Sequence, residues 1–110
     1  MELHSESLDG WTRIRLVGNL DAGSAGDSQR QILSIVEERA RRYVFELDEV
    51  PVIDSAGLAV LVKVYREIKG KGGRMALSGV QREPMRVFHL TRLDRIFPIH
   101  PTAESARMAA

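Results

Sequence analysis

The chain contains no cysteine, which excludes disulfides, thiolate zinc sites and cysteine nucleophiles together. Aromatic residues are scarce: one tryptophan, two tyrosines and three phenylalanines. Those in the basic half fit core positions, so no stacking platform for nucleic-acid bases is expected. No apolar run approaches the roughly 20 residues of a membrane-spanning helix. The polar start, Met1-Glu2-Leu3-His4-Ser5-Glu6, does not read as a signal peptide, and a cytoplasmic protein with no membrane attachment is the expectation. The three histidines, His4, His89 and His100, fall in different predicted elements and make no close metal-ligating pair. A Gly-x-Ser-x-Gly nucleophile elbow is missing. Gly70-Lys71-Gly72-Gly73 lacks the Lys-Ser/Thr of a phosphate loop and ends a helical pattern instead of starting one, so it reads as a helix stop. No catalytic set, metal or cofactor is expected, and the chain does not read as an enzyme.

What remains is 110 residues, one domain's worth of chain. A domain of that size buries roughly 65% of the surface its unfolded chain exposes, enough for a core without staples. The net charge of +1 is unevenly spread: six basic and eleven acidic residues lie up to Asp54, ten and four after it. A basic half can serve an acidic partner or nucleic acid. Without a recognition helix or stacking residues, complementary halves of one fold are the better reading.

Strand and helix patterns alternate. Residues 2–7 form a weak first strand, and Asp9-Gly10 a two-residue hairpin turn. Trp11–Val17 alternates, with Thr12, Ile14 and Leu16 on one side. Ser24 and Asp27 resemble a capping box opening a helix to about Arg42, whose core face is Ile32, Leu33, Ile35 and Val36. A strand over Tyr43–Asp48 follows, in which Glu46 can answer Arg13 or Arg15 across a wetter face. A second helix starts at Ser55 and stops at Lys69–Gly73. Arg74–Ser78 is a strand. Pro84 suits the first turn of a third helix that buries Met85, Phe88 and Leu90. Ile96–His100 is a last strand, and Thr102 caps an alanine-rich helix. The order ββαβαβαβα predicts a single α/β domain over residues 1–110, with a mostly parallel sheet and an antiparallel N-terminal edge strand. Right-handed crossovers place the helices mainly on one face.

Asp54-Ser55-Ala56-Gly57-Leu58 stands at the strand-to-helix turn. Asp54 suits the N-cap. Ser55 is then a first-turn residue, placed where an added phosphate meets unpaired N–H groups. Gly57 is costly inside a helix, which suggests close approach by a partner or a neighbouring loop. Wound at about 100° per residue, Leu58, Leu61, Val62, Tyr65 and Ile68 form the core stripe, and Ala56, Val60 and Val64 fall on or beside the outward face. An apolar patch next to a presented serine suggests a docking surface.

These residues resemble a STAS domain of the anti-sigma factor antagonist type. Val52-Ile53-Asp54-Ser55-Ala56-Gly57-Leu58 is similar to the signature around that family's phosphorylated serine, and Gly18-Asn19-Leu20-Asp21 to its Gly-Glu-Leu-Asp loop. Gly72-Gly73, Val87-Phe88 and Thr91-Arg92-Leu93 also match, with Arg92 standing where many relatives have glycine and Asn19 where they have glutamate. The resemblance implies phosphorylation at Ser55 and a partner surface comprising Asp21, Asp54, Ser55, Ala56, Gly57, Val60 and Val64. It implies a serine-kinase anti-sigma factor as the partner of the unphosphorylated form, and a serine phosphatase that restores that form. Two alternatives remain at this point: a non-switching STAS subunit of a lipid-transport ATP-binding cassette complex, and a scaffold in a signalling assembly.

Overall fold

The computed structural model describes residues 1–36 and 41–109. Two strands, β1 (Glu2–Leu8) and β2 (Trp11–Val17), open the chain. They pair antiparallel, with Leu8 opposite Trp11; Gly10, at φ +80°, supplies the left-handed residue that the two-residue turn needs. The order continues α1 (Ala25–Val36), β3 (Arg42–Glu49), α2 (Ser55–Gly70), β4 (Arg74–Ser78), α3 (Arg82–Leu90), a 3₁₀ turn at Leu93–Arg95, β5 (Ile99–His100) and α4 (Ala103–Ala109). The sheet order is β1-β2-β3-β4-β5, with every pair after the first parallel. Each parallel crossover steps to the adjacent strand in the same direction, so a common hand puts α1, α2 and α3 on one face.

Strand alternation builds the core. Ile14, Leu16, Phe45, Leu47 and Leu77 are fully buried on the helix side, with Ile32 and Val36 from α1 and Phe88 from α3. Phe97 meets Tyr65 and Phe88 edge-on, at ring-centroid distances of 5.3 and 5.9 Å, an arrangement that favours aromatic pairs. A smaller cluster of Trp11, Val44, Ala103 and Ala106 seats α4 on the opposite face. Thr102 and Ser105 cap α4 reciprocally, each hydroxyl accepting from the other's backbone N–H at 3.1 Å.

Several sequence expectations shift. The Ser24–Asp27 capping box does not form: Ser24 Oγ donates to Asn19 O at 2.7 Å, and Asp27 accepts from Gln31 Nε2 at 2.7 Å. The expected end of the first helix runs through residues 37–40, outside the described residues, and Arg42 already belongs to β3. Leu90 is 80% exposed and not a core residue, because it falls on the outer side of the last turn of α3. The last strand shrinks to two residues behind the 3₁₀ turn, leaving Ile96 outside it. Glu46 does answer Arg13, at 3.4 Å, whereas Arg15 pairs with Glu49.

Arg92 keeps the left-handed conformation that glycine adopts without penalty (φ 61°, ψ 19°). A residue with a Cβ is strained there by roughly 1–2 kcal/mol, of which the extra unfolded-state freedom of glycine offsets about half. Arg92→Gly is therefore expected to raise stability by about 0.5 kcal/mol in thermal or urea unfolding. A lower stability would show that the arginine side chain contributes contacts worth more than the strain.

Candidate functional site: the start of the second helix

The loops after β2 and β3 lie at the carboxyl ends of adjacent parallel strands, where open α/β sheets gather their functional residues. The chain ties these two loops together. Gly18 N–H donates to Glu49 O at 2.9 Å, Leu20 N–H to Val52 O at 2.9 Å and Asp54 N–H to Leu20 O at 3.3 Å. Leu20 and Ile53 thereby form a single parallel bridge that prolongs the β2–β3 ladder.

Asp54 is the N-cap of α2, in extended backbone conformation. Its two oxygens do different things. Oδ1 accepts from Gly57 N–H at 2.9 Å, which closes the helix start. Oδ2 accepts from Ala22 N–H at 3.1 Å and so fastens the neighbouring loop to the helix. The donation by Gly57 N–H, with a smaller share from Ala22 N–H, holds the Asp54 carboxyl below its ordinary value of 3.8. A group whose pKa is depressed in the folded state adds stability above its unfolded pKa, and that stability is lost as pH falls through the lower folded value. Asp54→Ala is expected to lower the melting temperature by roughly 5 °C at pH 7. Differential scanning calorimetry should show that gap closing below about pH 4; a gap that stays constant down to pH 2 would contradict the capping role.

Asp21 reaches the same surface through its loop, but its carboxylate turns inward: Oδ1 accepts from Gly23 N–H at 3.0 Å and Ser24 N–H at 3.3 Å. It is an Asx-type brace that shapes the loop. Ser24 completes the brace by accepting from Asp21 N–H at 3.1 Å.

Gly57 explains why the loop sits so close. A Cβ built there would stand 2.1 Å from Leu20 O and 2.9 Å from Leu20 C, both backbone atoms. The neighbouring loop therefore occupies the space that the missing side chain leaves.

Ser55 follows the cap, is exposed, and heads α2. Its hydroxyl has no hydrogen-bond partner within the described residues, because Asp54 does the capping. Ala56 beside it is half-buried. Val60 and Val64 correct the sequence expectation: they are 3% and 0% exposed and belong to the core with Leu58, Leu61 and Ile68. They cannot form an outward apolar patch. The true buried line of α2 passes through Gly57, Leu61, Val64 and Ile68, while Val62 and Tyr65 are only partly covered. The exposed side instead carries Ser55, Ala59, Lys63 and Arg66.

Sequence reasoning missed two contributors, Leu20 and Ala22, which act through backbone atoms. The available signal was Gly57 itself: including it in the buried line rotates the wheel and exposes Ala59 instead of Val60. A third omission is Val52, an apolar residue 45% exposed on the loop leading to Asp54; its position just before the motif was the only cue.

No group of histidine, aspartate and glutamate among the described residues could hold a metal ion, and none of their helices is long and apolar enough to cross a membrane. The arrangement offers a free hydroxyl at a helix N-terminus, on a surface braced by two carboxylates.

Comparison with known proteins bears on the chain and its fold as a whole. The anti-sigma F factor antagonist of Paenibacillus polymyxa is 28% identical over 107 residues, covering 96% of this chain and 92% of the relative. The anti-sigma-B factor antagonist of Bacillus subtilis is 27% identical over 92 residues, covering 84% of each. The crystal structure of an anti-sigma factor antagonist from Mycobacterium paratuberculosis matches with a TM-score of 0.89 at 27% identity, covering 98% of this chain and 92% of that one. The family model for the STAS domain matches residues 3–106, and the chain belongs to the STAS domain family.

Proposed function

We propose that this protein is an anti-sigma factor antagonist whose binding to a serine-kinase anti-sigma factor is switched off by phosphorylation of Ser55. The observation that carries the reading is the exposed Ser55 hydroxyl, without a hydrogen-bond partner among the described residues, next to a cap that does not need it. The names of its relatives, antagonists of anti-sigma factors, support an anti-sigma factor as the partner. A kinase can modify Ser55 without dismantling the helix start, because Asp54 keeps the Gly57 N–H. The contact surface is Ser55 with Ala56, Asp54 and the Asp21 loop, and Ala59 replaces the buried Val60 and Val64 in it. Gly57 lets that loop lie close, as its contact with Leu20 requires.

A phosphoserine adds about −1.5 to −2 charges at neutral pH. The positive end of the α2 dipole tolerates them, so the domain stays folded. A phosphatase acting on phospho-Ser55 restores the binding form. The test is incubation with ATP and the serine-kinase anti-sigma factor from the same organism, followed by peptide mass spectrometry. One phosphate on Ser55, absent from Ser55→Ala, is the expected result; an unmodified Ser55 or a phosphate at another residue overturns the assignment.

A further inference from the structure

The sheet face turned away from α1–α3 treats its arginines in two ways. Arg13 lies 2.7 Å from Glu6 and 3.4 Å from Glu46, and Arg15 bonds Glu49. Arg42 and Arg74 stand directly opposite each other in the parallel β3–β4 register, and neither has a carboxylate partner among the described residues. Arg42 donates through Nη2 to Arg107 O, while its buried Nε has no acceptor. Like charges directly opposite on paired strands destabilise the pair, and a buried donor left without an acceptor is unfavourable. An anion held between the two guanidiniums offsets their like charges.

Both arginines line a cleft of about 200 Å³ between the sheet and α4, together with Val44, Ala76, Ala106 and His100. Its volume is below the roughly 300–1,000 Å³ of sites for drug-sized ligands, so its occupant is small. Val44, Ala76 and Ala106 make an apolar surface at that position, and the two guanidiniums make a cationic one. The cleft lies at the amino end of β3, whereas Ser55 follows the carboxyl end, and the inference does not depend on the switch.

We propose that this cleft binds a small amphipathic anion, with a carboxylate or phosphate head between Arg42 and Arg74 and a short apolar body against Val44, Ala76 and Ala106. Isothermal titration of the full chain with octanoate, octyl phosphate and octanol tests it. At least one of the two anions is expected to bind at sub-millimolar concentration and at least tenfold more tightly than octanol; the tighter of the two identifies the preferred head. Arg74→Gln, at an exposed position, should weaken that binding at least tenfold. Ala76→Leu should fill the cleft and abolish binding, with the circular dichroism spectrum of the folded protein retained. The proposal is overturned if neither anion saturates at millimolar concentration, if octanol binds as well as the anions, or if Arg74→Gln binds like the unaltered protein.

Discussion

Gly57→Ala is expected to destabilise the protein by about 3 kcal/mol, a fall of roughly 10 °C or more in melting temperature. Two effects oppose each other. Alanine is the better helix former by about 1 kcal/mol, which alone would stabilise α2. The new Cβ, however, would have to occupy a point 2.1 Å from Leu20 O and 3.0 Å from Leu20 Cγ. A backbone carbonyl cannot swing aside as a flexible side chain can, and Leu20 is fully buried. The loop must therefore lift from the helix, straining the Asp54 N–H to Leu20 O and Ala22 N–H to Asp54 Oδ2 bonds together. Gly70→Ala is the control within the same helix. A Cβ there meets nothing within 4 Å, so the propensity term stands alone and a small gain of about 0.5 kcal/mol is expected. Equal melting temperatures for Gly57→Ala and the unaltered protein would show that the loop does not lie where the structure places it.

Ser55→Asp is expected to weaken binding to the serine-kinase anti-sigma factor by about a hundredfold, with little change in stability. The binding loss corresponds to about 2.8 kcal/mol. One unmatched charge desolvated at an interface supplies that much. The added carboxylate stands next to the Asp54 carboxylate, whose pKa its backbone donors, Gly57 N–H first, hold below the ordinary value. The local field thus grows more negative at the point where a partner must approach the hydroxyl. Stability should change little because Ser55 is exposed and makes no side-chain hydrogen bond among the described residues, and because the helix N-terminus favours negative charge. Surface plasmon resonance with the immobilised kinase would separate the two effects when paired with thermal unfolding. Loss of binding accompanied by unfolding would point to a structural role for Ser55.

The element order and the sheet were legible because they rest on periodicity. Within Trp11–Val17, Arg13 and Arg15 alternate with Ile14 and Leu16, and these inward residues are fully buried. Glycines and prolines mark most of the remaining boundaries, and Thr102 signals the last helix directly. The error at α2 has a physical origin. Its sequence carries an apolar arc wide enough to admit more than one core line, and α1 packs beside it in the same layer. A wheel reads the width of that arc but not which flank the neighbouring helix covers, so it sets Val60 and Val64 outward. Gly57 resolves the phase only once its contact with Leu20 is known.

The site divides in the same manner. Ser55 and Asp54 announce themselves through the motif and the cap. The Gly18–Asp21 motif sets Asp21 near them, but its inward turn onto Gly23 and Ser24 follows from loop geometry that residue types do not encode. Leu20 and Ala22 act through a carbonyl and an N–H that every residue except proline possesses, so no side chain marks them. The Arg42–Arg74 pair is equally hidden, since it comes from cross-strand register and from the carboxylates that Arg13 and Arg15 have and that these two lack among the described residues.

The most direct test of the switch compares the affinity of the serine-kinase anti-sigma factor for two preparations of the same chain, one unmodified and one carrying a single phosphate on Ser55. Isothermal titration should show firm binding of the unmodified protein and a loss of at least a hundredfold for the phosphorylated one, with superimposable circular dichroism spectra. Equal affinities for the two preparations, both folded, would contradict the account.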